Sequence, residues 1–442
     1  MKKSTGIVFL LAAALAAFVY FYDMKHNTGS DTPADTSKPA YSLASTDITG
    51  LQLDRAGTSA IFEHRADGWY ITKPVATKAE ATVLDAISNE LSSVRVDRTF
   101  LATPENLKSF GLNDPAVTLS FTMKNGAQHK LQLGARDFSG SSVYALVDGA
   151  KDVSLLSDAI LTSGDKNLDD LRDHTVLPGA VTEATSFDLI NSSGEISAVK
   201  DGTMWKIEKP RATDADGNTI LTLLGVLGSG QIAHFVADTE KDLGKYGLTT
   251  PTITFRAKLP DGKSAELLVG KKEVDEYDAR DSSRPMVFRI NETVHKSLVS
   301  TFFDLRDKAL THLSDSDINR AELHNSSGTT TCTQNAGGAL MLDLPVGQNA
   351  TAPECPAFVF AVESARATQI FDTPPADITA KLAKPAAVVT FTSKSGQKAE
   401  FSFSGVAGDS VYARTSLGST IYKLDKKVFD DLNAKPPDTS AK

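Results

Sequence analysis

The sequence predicts an α+β protein: three tandem repeats of a mostly antiparallel β-sheet unit with packed helices, preceded by one N-terminal transmembrane helix. Three observations carry that expectation. An apolar run with a basic flank opens the chain. Two motifs each recur 136 residues further on, at Trp69 and Trp205 and at Gly111 and Gly247. Within each copy, segments of alternating hydrophobicity are joined by short turn sequences such as Asn125-Gly126 and Asp261-Gly262.

At 442 residues the chain is too long for one ordinary core. Hydrophobic residues at 41% and charged residues at 23% give the balance of a folded protein. The formal net charge is −9, and no basic stripe interrupts it, which argues against a nucleic-acid partner. Two cysteines exclude a disulfide-dense scaffold and cysteine-rich zinc modules.

Lys2 and Lys3 precede an apolar run from Gly6 to Tyr22 that ends in aromatic residues. As a helix it would span about 25 Å, close to a hydrocarbon core. Basic residues before it predict a cytoplasmic N-terminus and an exported remainder. Residues 1–26 are therefore expected to be a membrane anchor. A cleaved signal peptide with its site near Ala14-Leu15-Ala16 is the alternative, although cleavage there would leave an apolar stub. Residues 27–42 are polar, carry Pro33 and Pro39, and read as a flexible linker.

The repeats are expected at 43–178, 183–312 and 316–434. Trp69 to Pro74 returns as Trp205 to Pro210, and Phe110 to Pro115 as Tyr246 to Pro251. Gly134 and Gly270 keep that offset, and Leu171-Arg172-Asp173 returns as Leu305-Arg306-Asp307. In the degenerate third copy, Leu340, Leu342 and Pro345 stand for Trp205, Ile207 and Pro210. Val411-Tyr412 stands for Val287-Phe288 and Val143-Tyr144, and Leu432-Asn433 for Leu305-Arg306.

Each copy begins with a half-buried strand around its Trp, ended by proline. A helix follows: Val83, Ile87 and Leu91 share one face, as do Ile220, Leu223, Leu224 and Leu227, then Phe358, Val359 and Val362. Hairpins come next, Val117–Met123 with 129–133, Ile253–Leu259 with 265–269, and 388–392 with 399–403. A helix near Val294 to Phe303 closes the second copy.

Trp69 and Trp205 could form a stacking platform, but an isoleucine two positions on faces the same side, which favours the core. Arg172 and Arg306 are candidate partner contacts, or else helix-end ion pairs with the neighbouring aspartates. The eight histidines show no i, i+3 or i, i+4 spacing, so no metal is expected. Asp214 to Asn218 reads as a turn or N-cap rather than a calcium loop. Gly225, Gly228 and Gly230 lack nucleotide-binding spacing and are expected to mark a helix end. No hydrolase motif appears, and no catalytic residue and no cofactor is expected. Cys332 and Cys355 are expected to form a disulfide in an oxidising compartment, closing a loop worth about 3 kcal/mol.

The paired W-x-I-x-x-P and [YF]-G-L-x-x-P motifs, the strands closing on Gly134 and Gly270, and the segments Asp170 to Asp173 and Asp304 to Asp307 resemble the bacterial domain-of-unknown-function family 4340. The resemblance covers the first two copies well and the third weakly. It implies an exported, membrane-anchored protein, found in some cases alongside ABC-transporter components, and it carries no catalytic residues. The expected function is a non-enzymatic extracytoplasmic scaffold or partner-binding protein, moored in the cell inner membrane by its N-terminal helix, with a periplasmic body and ABC-transporter subunits as partners. A module binding a cell-wall glycan or peptide, and an exported hydrolase with a site assembled from distant residues, are the alternatives.

Overall fold

Alternating apolar residues make strands that bury one face, and strands are the main element among the described residues. A computed structural model describes residues 37–314, 316–343, 355, 357–416 and 418–433. Among these, the strands form three sheets of 10, 9 and 8 strands.

A common order of eight strands runs through all three, and the first two sheets add edge strands to it. The first sheet runs Thr77–Lys78, Gly68–Lys73, Thr58–Arg65, Ile48–Arg55, Val117–Met123, Gln128–Arg136, Ser142–Val147, Asp152–Ser157, Arg95–Leu101, with Lys38–Pro39 on the last edge. The second runs Thr213–Asp214, Met204–Lys209, Gly194–Asp201, Ser186–Asn191, Ile253–Lys258, Ser264–Glu273, Glu276–Asp281, Val287–Asn291, Ile232–Ala237. The third runs Leu340–Leu342, Gly328–Gln334, Ile318–Asn325, Ala387–Ser393, Lys398–Phe403, Ser410–Thr415, Ile421–Asp425, Gln369–Phe371. Each is two meanders joined at their first strands by an antiparallel pairing. The strand that leads into the second meander sits at the far edge, so a helix must carry the chain across the sheet.

That crossing explains the helix positions. Gly217–Ser229 buries Ile220, Leu223, Leu224 and Leu227 against a core containing Phe187, Phe255 and Phe288. Each such side chain contributes about 2 kcal/mol of burial. Asp216 caps the helix by accepting from the Thr219 amide at 3.1 Å, the turn role expected of its segment. In the first module, Ala81–Ser93 buries Leu84, Ile87 and Leu91, while Val83 is only half-buried. Gly228 lies within the helix rather than at its end: a Cβ there would stand 2.8 Å from Thr182 Cγ2. It lets the helix approach the turn Gly179–Glu183.

The chain falls into two compact units, one ending at His174 and one beginning at Thr175. The second unit contains the second and third sheets.

The expected fold class requires correction. The molecule is dominated by three large antiparallel sheets, with helices as minor crossings. No helix among the described residues is long and apolar enough to cross a membrane. The expected anchor, residues 1–26, lies outside the described residues, and the transmembrane helix is without support.

The folded modules also begin earlier than 43, 183 and 316. A short incoming segment binds the same edge in each: Ala40 N–H donates to Val94 O at 2.9 Å, Val176 to Gly230 O at 2.9 Å and Leu310 to Ala365 O at 3.2 Å. The end of the expected linker at 27–42 is thus part of the first module, with Tyr41 in its core. Segments this short carry no periodicity, so the sequence does not announce them.

Two correspondences in the third copy shift as well. Leu432 ends the helix Lys426–Leu432 and takes the place of Leu298, which ends Glu292–Leu298, not that of Leu305. The amide of Asn325 donates to Leu432 O at 3.0 Å, as that of Asn191 does to Leu298 O at 2.9 Å. Likewise Ala413 opposes Phe403 as Ala279 opposes Val269, so Tyr412 corresponds to Asp278 rather than to Phe288.

Candidate functional site

The repeated motifs meet one another in the fold. Gly134 and Gly270 lie directly under the [YF]-G-L turns: an added Cβ would fall 2.2 Å from Phe110 O and 2.0 Å from Tyr246 O. No side chain fits at such a contact. The turns themselves need Gly111 and Gly247, at φ +68° and +72°. Trp69 and Trp205 are buried, and Trp69 Nε1 donates to Asp85 Oδ1 at 3.0 Å. Neither can serve as an exposed stacking platform.

The Leu-Arg-Asp segments close the modules. Leu171 and Leu305 are core residues. Arg172 bridges to Ala79 and Arg306 to Ala215 along the backbone, beside the segments that return after Pro74 and Pro210. Both arginine side chains are buried, at 4% and 7% exposure. Arg172 Nη1 donates to Asp169 Oδ1 at 3.2 Å. Arg306 grips Asp372 through two bonds, Nη1 to Oδ2 at 2.9 Å and Nη2 to Oδ1 at 3.1 Å. Arg211 pairs with the same carboxylate.

The neighbouring aspartates do other work. Asp304 completes a capping box with Thr301, and Asp307 pairs with His312 Nε2 at 2.6 Å. The hydrogen bonds from Arg306 hold the Asp372 carboxyl below its ordinary range, against the opposing effect of burial. Arg306 therefore links the second and third modules from inside rather than presenting charge to a partner.

Beside this ion pair lies a cleft of about 850 Å³ lined by Asp214, Asp307, His312, Lys398, Phe401 and Tyr422. Burial pushes the Tyr422 phenol up, with Arg306 pulling it down and Asp307, Asp372 and Asp214 raising it further. Sequence reasoning found Arg306 and missed Asp372, Arg211 and the cleft. One signal was available: Asp372 stands as far beyond Asp238 as Arg306 stands beyond Arg172.

Cys332 and Cys355 form a disulfide with a Cα–Cα distance of 5.8 Å. Cys355 N–H donates to Leu340 O at 3.0 Å, as Ala215 does to Trp205 O at 3.1 Å and Ala79 to Trp69 O at 2.9 Å. The cysteine thus occupies the returning position that Ala79 and Ala215 hold in the other modules. Among the described residues, no group of three or more His, Cys, Asp or Glu side chains is arranged to hold a metal ion.

No curated protein matches the chain. A solved structure described as "Ca2+-stabilized adhesin helps an Antarctic bacterium reach out and bind ice" aligns over 86% of this chain and 90% of its own length, at 8% identity and a TM-score of only 0.08. A family model matches twice, over residues 69–203 and 205–354. Each match begins at a Trp-x-Ile motif, so it is out of phase with the folded module by the first two strands. With those two matches covering more than half of its length, the chain belongs to the family described as Domain of unknown function (DUF4340).

Proposed function

We propose that this chain is a non-enzymatic scaffold of the cell envelope that holds a protein partner outside the cytoplasm. The observation that carries the reading is one strand order built three times in a single chain. Repetition multiplies surface rather than converging side chains on one site, and extended repeated surface suits protein contacts. The Cys332–Cys355 disulfide supports an oxidising compartment. The partner class we favour is a subunit of an ABC-type transport or envelope complex, as the family resemblance implies. Affinity capture of the full chain after cross-linking in cells, with mass-spectrometric identification, tests this. Enrichment of transport subunits is the expected result, and recovery of the chain alone overturns it. Alkylation of thiols in intact cells tests the compartment, since a cytoplasmic protein would carry two free thiols.

A second reading, glycan or peptide binding, is favoured by one feature. The first sheet has an open concavity of about 830 Å³ lined by Gln52, Ser120, Thr122, Gln128, His129 and Gln132. Amides and hydroxyls of this kind hydrogen-bond sugar hydroxyls or peptide groups. A melting-point shift with cell-wall fragments, lost in Gln132→Ala, would support it, and no shift would remove it.

A further inference from the structure

The three modules share one more feature. The hairpin between the second and third strands of each second meander carries an exposed apolar residue where a turn would ordinarily be polar. Phe138 is 102% exposed, Val274 is 89% and Val406 is 44%. Phe138 and Val274 keep the offset of 136 residues set by the Trp motifs.

These side chains are held out by their loops. Asp137 accepts from Ser139 Oγ and from the Ser142 amide at 3.1 Å, and its own amide donates back to Ser142 O at 2.8 Å, so Phe138 projects from a hydrogen-bonded turn. Val274 opens a two-residue turn between the paired residues Glu273 and Glu276, with φ at +59°. Glycine is the ordinary choice there, and a β-branched residue is strained. Neither folding nor solubility calls for a strained, exposed valine.

The charge around the tips has one sign. Asp137 flanks Phe138, and Glu273 and Asp275 flank Val274. The nearby cations are turned onto the modules' own bodies. Arg136 pairs with Asp158 at 2.7 Å, Lys271 donates to Lys245 O at 2.7 Å, and Lys272 lies over the Tyr277 ring.

We propose that the Phe138 and Val274 hairpin tips are docking knobs for a protein partner whose surface offers apolar sockets rimmed by lysine or arginine. An apolar anchor inside a charged ring matches the anatomy of binding hot spots, and the carboxylates steer a basic partner while repelling anionic lipid. The tip at Val406 lacks the preceding acid and contributes least. The proposal rests on the scaffold reading and names its contact.

The test places a photoreactive phenylalanine analogue in the full chain, in cells, at 138, at 274, or at the exposed Lys263 as a control. The expected result is one and the same protein joined at 138 and at 274 but not at 263, with the yield at 274 falling about tenfold in Asp275→Lys. Adducts to a protein at 263 alone overturn the knobs and leave the scaffold reading standing. Protein adducts at none of the three positions overturn both. Lipid adducts at the tips, or binding of the purified chain to phosphatidylglycerol vesicles that Phe138→Ser abolishes, overturn the protein partner.

Discussion

In the second module, the chain returning after Pro210 sets Ala215 against Trp205, and the backbone of Arg306 bridges to it from the other side. In the third, the returning residue is Cys355, set against Leu340 and tied to Cys332 by a disulfide. Cys332 lies opposite Ala321 and Leu342 just as Ala198 lies opposite Phe187 and Ile207. The same segment is therefore held by a backbone bridge from the later Leu305-Arg306-Asp307 segment in one module and by a covalent bond in the other. The difference teaches that the returning segment is the weak point of this fold. The third module has exchanged the large Trp for Leu340, and it holds that segment by a cross-link.

The comparison can be broken most sharply at the Trp itself. Trp205→Ala is expected to cost about 4 kcal/mol of unfolding free energy, and Leu340→Ala about 2 kcal/mol, in denaturant titrations followed by hydrogen exchange in each module. Equal costs would mean that the two positions are not equivalent. Next comes the covalent tie. Cys332→Ala with Cys355→Ala, or reduction of the native chain, is expected to lose about 3 kcal/mol, with faster exchange confined to the third sheet.

Gly270 gives the third test. Gly270→Ala is expected to cost about 2 kcal/mol, because its Cβ would overlap Tyr246 O at 2.0 Å. In the third module Ser404 follows Phe403 as Gly270 follows Val269, so Ser404→Ala should cost no more than about 1 kcal/mol for its hydrogen bond to the Tyr412 amide.

A smaller effect is expected at Arg306→Ala, about 1.5 kcal/mol, since Arg211 still faces Asp372. The pH dependence follows from the depressed carboxyl of Asp372. Its contribution is fully present above the ordinary carboxylate range near pH ~4 and is lost as pH falls through the lower folded value. Arg306→Ala should flatten that acid limb of the melting-temperature profile. An unchanged limb would mean that the ion pair does not stabilise the fold.

Val274→Gly is expected to raise stability by about 1 kcal/mol by relieving the strained turn, and a loss would show that the valine packs in the folded state.

Much of the fold was written locally. The strand Val117–Met123 buries Val117, Leu119, Phe121 and Met123 in strict alternation, and a period of two needs no long-range information to be seen. The helix stripe at Ile220, Leu223, Leu224 and Leu227 was equally plain. The incoming edge segments were invisible, because two or three residues have no period. The candidate site was legible only in part. Arg306 stood out as a repeated residue, but its partner Asp372 lies 66 residues away, and the aspartates beside it in sequence were the wrong ones.

The sequence by itself determined the repetition and the alternation of the strands, because each rests on spacing along one chain, and it left the two cysteines a single partner each, because there are only two. Only the tertiary structure decided that the crossover strand lies at the far edge, that Arg306 is buried against Asp372, and that Cys355 stands where Ala215 does. Those are statements about which distant segments become neighbours. Antiparallel pairing across a whole sheet sets them, and hydrophobicity along the chain does not encode them.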